Sequence, residues 1–99
     1  MNEILIDKNY IIDYLKEHKK EFMTKYKINK IALFGSYARG EETSDSDIDI
    51  IVDMPSSVEN YFSFKYLLEE YFGKKVDLGK EKSLRLFIKS KIKNELIYV

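Results

Sequence analysis

From Asp7 to Tyr26 apolar and aromatic residues recur at steps of three and four, at Ile11, Leu15, His18, Phe22 and Tyr26, which predicts an amphipathic helix with Asp7 as its N-cap. The period then changes. Lys30-Ile31-Ala32-Leu33-Phe34 is a short apolar run halted at Gly35-Ser36, too short for a helix, and reads as a buried strand. Residues 35–46 form a long loop rich in Gly, Ser, Thr and charge, with room for one helical turn around Ser36 to Arg39. Ile48-Asp49-Ile50-Ile51-Val52 is a β-branched strand, ended by Met54-Pro55-Ser56-Ser57 because proline cannot continue a ladder. Ser56 or Ser57 caps a second helix, carrying Tyr61, Phe64, Leu67, Leu68 and Tyr71 at helical spacing until Gly73. Lys75-Val76-Asp77-Leu78 reads as a third strand, and Ser83 as the cap of a last helix with Leu84, Phe87, Ile88, Ile92 and Leu96 on its buried stripe.

This order predicts an α/β (α+β) fold, a small mixed sheet of three to four strands with helices packed on it. Strands two and three are joined through a whole helix, so they should run parallel with a right-handed crossover. Strands one and two are joined by the polar loop alone, which suits an antiparallel pair. With 99 residues and no internal repeat, one domain over residues 1–99 is expected.

Composition narrows the chemistry. The absence of cysteine excludes a disulfide framework, a zinc knuckle and a thiol nucleophile. No apolar run approaches the ~20 residues that span a bilayer, and Glu3 and Asp7 stand where a signal peptide wants basic residues. A soluble cytoplasmic chain with no membrane partner is the expectation. The 17 basic and 17 acidic residues cancel, which removes the simplest argument for direct nucleic-acid binding. The charges are nevertheless segregated. Residues 41–53 hold six acidic groups and no basic one, whereas residues 74–93 hold eight basic and two acidic. A lysine-rich solvated helix face accounts for the second segment; the first is harder to dismiss.

Asp47 and Asp49 stand at alternate positions where the second strand begins, so both side chains point to one face, about 6.6 Å apart along the strand. Two carboxylates at the edge of a core are costly unless a cation lies between them. Oxygen ligands of this kind suit Mg²⁺ or Mn²⁺, and one His without Cys leaves no zinc-type ligand set. Asp77, inside the short third strand, comes alongside the pair if the two strands are parallel neighbours; taken singly it would be an ordinary solvent-facing residue. Three carboxylates from two strands would suit two divalent cations, which sit ~3.5–4 Å apart in phosphoryl-transfer sites. Gly35 and Ser36 lie where the first strand turns into the helical turn, so backbone amides and a hydroxyl can meet a phosphate there, although an ordinary turn has the same sequence. Arg39, one turn later, can meet a phosphate or pair with Glu41 or Asp45. His18, far in sequence from every carboxylate, is a structural residue. Two commoner motifs are excluded. Gly35 and Gly40 have P-loop spacing, but Glu41 and Glu42 occupy its lysine and hydroxyl positions; Asp45-Ser46-Asp47-Ile48-Asp49 opens like an EF-hand, but Ile50 stands at the turn glycine.

Phe34-Gly35-Ser36-Tyr37-Ala38-Arg39-Gly40 followed by Ser46-Asp47-Ile48-Asp49-Ile50-Ile51-Val52 resembles the signature of the DNA polymerase beta-like nucleotidyltransferase superfamily: Gly-Ser, ten residues, then Asp-x-Asp. Within it the chain is similar to the minimal nucleotidyltransferases (MNT), over essentially its whole length. The resemblance implies Gly35 and Ser36 as nucleotide-binding residues, Asp47 and Asp49 as metal ligands, and Asp77 as the third carboxylate and general base; Arg39 matches the group's usual arginine. It also implies two Mg²⁺ ions, ATP as donor, and the antitoxin half of a two-protein module. The partner is then a helical HEPN ribonuclease toxin, modified by AMP on a tyrosine. A non-catalytic antitoxin that masks its partner, and a small-molecule nucleotidyltransferase with a separate acceptor-binding subunit, are the alternatives.

Overall fold

A computed structural model describes residues 5–83 and 95–99. Helix α1, Lys8–Tyr26, begins where the Asp7 carboxylate accepts the Tyr10 backbone N–H at 2.8 Å, and ends at Lys27 in a left-handed conformation. Strand β1, Lys30–Phe34, runs into the one-turn helix α2, Gly35–Arg39, which Gly40 closes at φ +72°. After the loop come β2 (Ile48–Asp53), α3 (Val58–Phe72), β3 (Val76–Lys80), a short 3₁₀ turn (Glu81–Ser83) and β4 (Ile97–Tyr98).

The described strands form one sheet in the order β3-β2-β1-β4, with β2 and β3 parallel and both pairings of β1 antiparallel. Alternation decides the two faces. Ile31 and Leu33 of β1, Ile48, Ile50 and Val52 of β2, and Val76 and Leu78 of β3 join Ile11, Leu15 and Phe22 of α1 and Phe64 and Leu68 of α3 in a single core. Residues between them project to the opposite face, where Ala32 and Ile51 are also buried but lie outside that core. Asp49 and Asp77 belong to this second face. The outer edge of β3 is blunted by α3: Glu69 accepts the Val76 N–H at 3.0 Å, and the Tyr61 hydroxyl donates to the Leu78 carbonyl.

Three expectations need correction. The α3 stripe is Phe64, Leu68 and Phe72; Tyr71, one residue off that phase, is 48% exposed and stacks from outside on Tyr14, ring centroids 3.8 Å apart. The third strand runs two residues beyond Leu78. Gly79 permits this, because a Cβ there would lie 2.9 Å from Ile51 Cδ1 on the neighbouring strand. Most of the predicted last helix, residues 84–94, lies outside the described residues, and Leu96 is not helical but leads into β4. There the apolar Ile97-Tyr98 pair takes the free edge of β1.

The Ser57 side chain accepts the Asn60 N–H at 3.2 Å and caps α3. Ser57→Ala should therefore cost about 1 kcal/mol and lower the melting temperature by roughly 4–8 °C, read by thermal denaturation. No change would mean that water caps the helix equally well.

Candidate active site

Strand register brings the predicted carboxylates together. Asp49 of β2 pairs directly with Asp77 of β3 across the parallel ladder, so their side chains leave the same face of adjacent strands, about 4.8 Å apart at the backbone. Asp47 stands one alternate position before Asp49. On the other flank Phe34 pairs with Asp49, which sets the turn after β1 against the Asp49 carboxylate.

Gly35 shows how close that approach is. A Cβ built on it would collide with the Asp49 carboxylate, the Cγ only 2.9 Å away, and its φ of +76° disfavours any side chain. The turn therefore lays bare backbone on a carboxylate. Helix α2 starts at this glycine with no side-chain cap: Phe34 occupies the N-cap position and offers no acceptor. Gly35 and Ser36 thus lie at an N-terminus whose first-turn N–H groups have no intrahelical partner, beside the carboxylates.

Among the described residues, none of Asp47, Asp49 and Asp77 has an ion-pair partner. The consequence shows at Asp49. Its carboxyl is pushed up to about 6 by burial, then by the charges of Asp77 and Asp47, while Arg39 pulls it the other way. Arg39 itself is held by Glu41 (Nε to Oε2, 3.4 Å) and Glu95 (Nη1 to Oε2, 3.2 Å), not by Asp45. Glu95 lies 56 residues from Arg39, and no local sequence signal announces the pair. The His18 Nδ1–H donates to the Glu21 carboxylate at 3.0 Å on α1, and His18 takes no part in the site.

A folded-state pKa above the unfolded one means that ionisation of Asp49 opposes folding. Stability contributed at this group is full below about pH 4 and is lost as the pH rises to about 6. The carboxylate is only half-buried, so solvent screening reduces the effect to roughly 1 kcal/mol. Without added metal, Asp49→Asn should be more stable than the parent at pH 7 and equal to it at pH 4, as read by denaturant midpoints. A difference that is the same at both pH values would show that Asp49 is unperturbed.

Do these residues suit a divalent cation? The donors are all hard oxygens, they carry three formal negative charges without a compensating cation, and their mutual repulsion at Asp49 is what a cation relieves. Among the described residues no three His, Cys, Asp or Glu side chains converge closely enough to hold a metal ion by themselves. What the structure brings together is Asp49 beside Asp77, so a cation here would need further ligands from a substrate.

A mixed sheet that sets Asp49 beside Asp77 on its parallel neighbour, with Asp47 just ahead of β2 and a Gly-Ser turn against Asp49, has the architecture of a nucleotidyltransferase of the DNA polymerase beta-like class. Residues 15–99 match the family described as Nucleotidyltransferase domain. The chain belongs to that family and is a nucleotidyltransferase. It is 49% identical over 96 residues to a Methanocaldococcus jannaschii protein named as a candidate protein adenylyltransferase, covering 90% of this chain and 94% of that one. Its fold superimposes on a solved candidate minimal nucleotidyltransferase with a TM-score of 0.78 and 25% identity, over 96% of this chain and 98% of that one. A toxin–antitoxin crystal structure, a Y104A mutant of the MntA–HpeT complex, gives a TM-score of 0.64 at 25% identity, covering 96% of this chain and 72% of the other. Among the described residues no helix is long and apolar enough to cross a membrane.

Proposed function

We propose that this nucleotidyltransferase moves AMP from ATP to a tyrosine hydroxyl of a partner toxin of the HEPN ribonuclease type, and so acts as its antitoxin. The observation that carries the chemistry is the direct pairing of Asp49 with Asp77, with Asp47 one alternate position away and the Gly35 backbone against them. The names of the relatives support the acceptor: a protein adenylyltransferase in one case, a toxin–antitoxin complex in the other.

The Gly35 and Ser36 amides and the Ser36 hydroxyl bind the triphosphate, with Arg39 at the far end of the same turn. Asp47, Asp49 and Asp77 would hold two Mg²⁺ ions, or Mn²⁺, which would supply positive charge to neutralise the triphosphate and the departing pyrophosphate. Asp77 is exposed on the edge strand, where an incoming hydroxyl reaches it first. Its carboxylate accepts the tyrosine proton as the phenolic oxygen forms a bond to the α-phosphorus. The bond from that phosphorus to the bridging oxygen breaks, and pyrophosphate leaves.

The experiment is transfer of label. ATP labelled at the α-phosphorus, but not at the γ-phosphorus, should mark a tyrosine of the protein encoded beside this one, in a reaction that chelation stops. Suppression of the toxin with no label on it would establish a mask and sink the enzymatic reading.

A further inference from the structure

Strand β4 brings a carboxylate to the edge of the site. Ile97 pairs with Leu33 and Tyr98 with Ala32, so the same antiparallel register carried two residues back sets Glu95 level with Gly35, where β1 turns into α2. There Glu95 accepts an N–H of Arg39 Nη1 at 3.2 Å, while Glu41 accepts the Nε–H at 3.4 Å. Two carboxylates on different nitrogens of one planar group fix its orientation as a single contact could not. Three of the five guanidinium N–H donors, both on Nη2 and one on Nη1, have no partner among the described residues. Arg39 stays close enough to the acidic site for its charge to act on Asp49. All three members of the clamp are partly exposed, and pairs of that kind contribute little to stability. What the clamp supplies is direction.

We infer that Glu95 is a positioning residue, which holds the Arg39 guanidinium so that its free N–H donors meet the triphosphate of the substrate nucleotide. The inference rests on the nucleotide-transfer reading above. A free arginine side chain gives up rotamer freedom when it grips a phosphate, and one already clamped gives up less. Its remaining donors suit a forked contact with two phosphate oxygens. The sign of the effect is diagnostic. Glu41, Arg39 and Glu95 together carry a net negative charge, so electrostatics alone would make removal of Glu95 strengthen the binding of an anion. Positioning demands the reverse. It also gives β4, a strand of two residues, a task at the site, since its pairing with β1 is what delivers Glu95.

The test is made on the full chain with magnesium present. Calorimetry reads the binding of ATP and of inorganic tripolyphosphate, and transfer of α-phosphorus label reads KM and kcat. Glu95→Ala should weaken both ligands about three- to tenfold, and the transfer reaction should show the loss in KM for ATP rather than in kcat. Glu95→Gln, whose amide oxygen still accepts the Nη1–H, should recover part of it. In an Arg39→Ala background Glu95→Ala should have no further effect, because Glu95 acts through Arg39. Unchanged affinity in Glu95→Ala would leave an ordinary surface ion pair, and tighter binding would mean that Glu95 withholds Arg39 from phosphate. An equal loss with Arg39 absent would mean that it acts by another route. Each of these overturns the inference. If Arg39→Ala binds tripolyphosphate as the parent does, this inference alone falls. If the parent binds neither tripolyphosphate nor ATP, the nucleotide-transfer reading falls with it.

Discussion

Asp49→Asn should abolish AMP transfer, by about a thousandfold or more, which corresponds to about 4 kcal/mol of transition-state stabilisation. Asp49 stands at the centre of the site. It pairs with Asp77, it feels the charge of Asp47 and of Arg39, and the bare backbone of Gly35 is packed against it. Asparagine keeps the shape and removes the charge, so the fold survives and, at neutral pH, gains stability. Activity and stability should therefore move in opposite directions, which distinguishes a site residue from a structural one. Single-turnover transfer with the parent and variant proteins, each checked for folding by circular dichroism, provides the comparison. Retention of more than about a tenth of the parent rate would remove Asp49 from the chemistry.

Gly35→Ala is the second large effect, and it should act on stability and activity together. The left-handed backbone at this position costs an alanine about 1–2 kcal/mol. The new methyl group must in addition displace the Asp49 carboxylate, for a total of about 3 kcal/mol. A domain of this size has only about 5–15 kcal/mol in hand. The urea midpoint should fall accordingly, and transfer should be lost even at temperatures where the variant is folded, because Asp49 has moved. Combining Gly35→Ala with Asp49→Ala should cost less than the sum of the two, since the collision vanishes with the carboxylate. Strict additivity would mean that the two positions do not touch.

Much of this was legible in the chain before any coordinates, and the reasons are physical. Asp7, Ser57 and Gly73 end or begin helices through their own local geometry, so their roles can be read without knowledge of the rest of the fold. The alternation of Asp47, Ile48, Asp49 and Ile50 places carboxylates and core on opposite faces wherever the strand lies. Asp77 depended on topology. Its place beside Asp49 follows only if a helical crossover makes β2 and β3 parallel, and the register bears this out.

What could not be read was set by contacts remote in sequence or by phase. Two residues, Ile97 and Tyr98, carry too little pattern to announce a strand, and β4 exists because β1 has a free edge. Glu95 meets Arg39 across 56 residues, where sequence spacing offered only Glu41 and Asp45. Tyr71 and Phe72 are adjacent aromatics, and a shift of one residue in helical phase decides which is buried.

The central claim is that Asp47, Asp49 and Asp77 act as one acidic site for a nucleotide and its divalent cations. Crystals grown with manganese and a non-hydrolysable ATP analogue test it most directly. Anomalous peaks within coordination distance of these three side chains, with the triphosphate against Gly35 and Ser36, are the predicted result. An analogue that is fully ordered elsewhere on the protein, with no peak beside the three aspartates, would contradict the account.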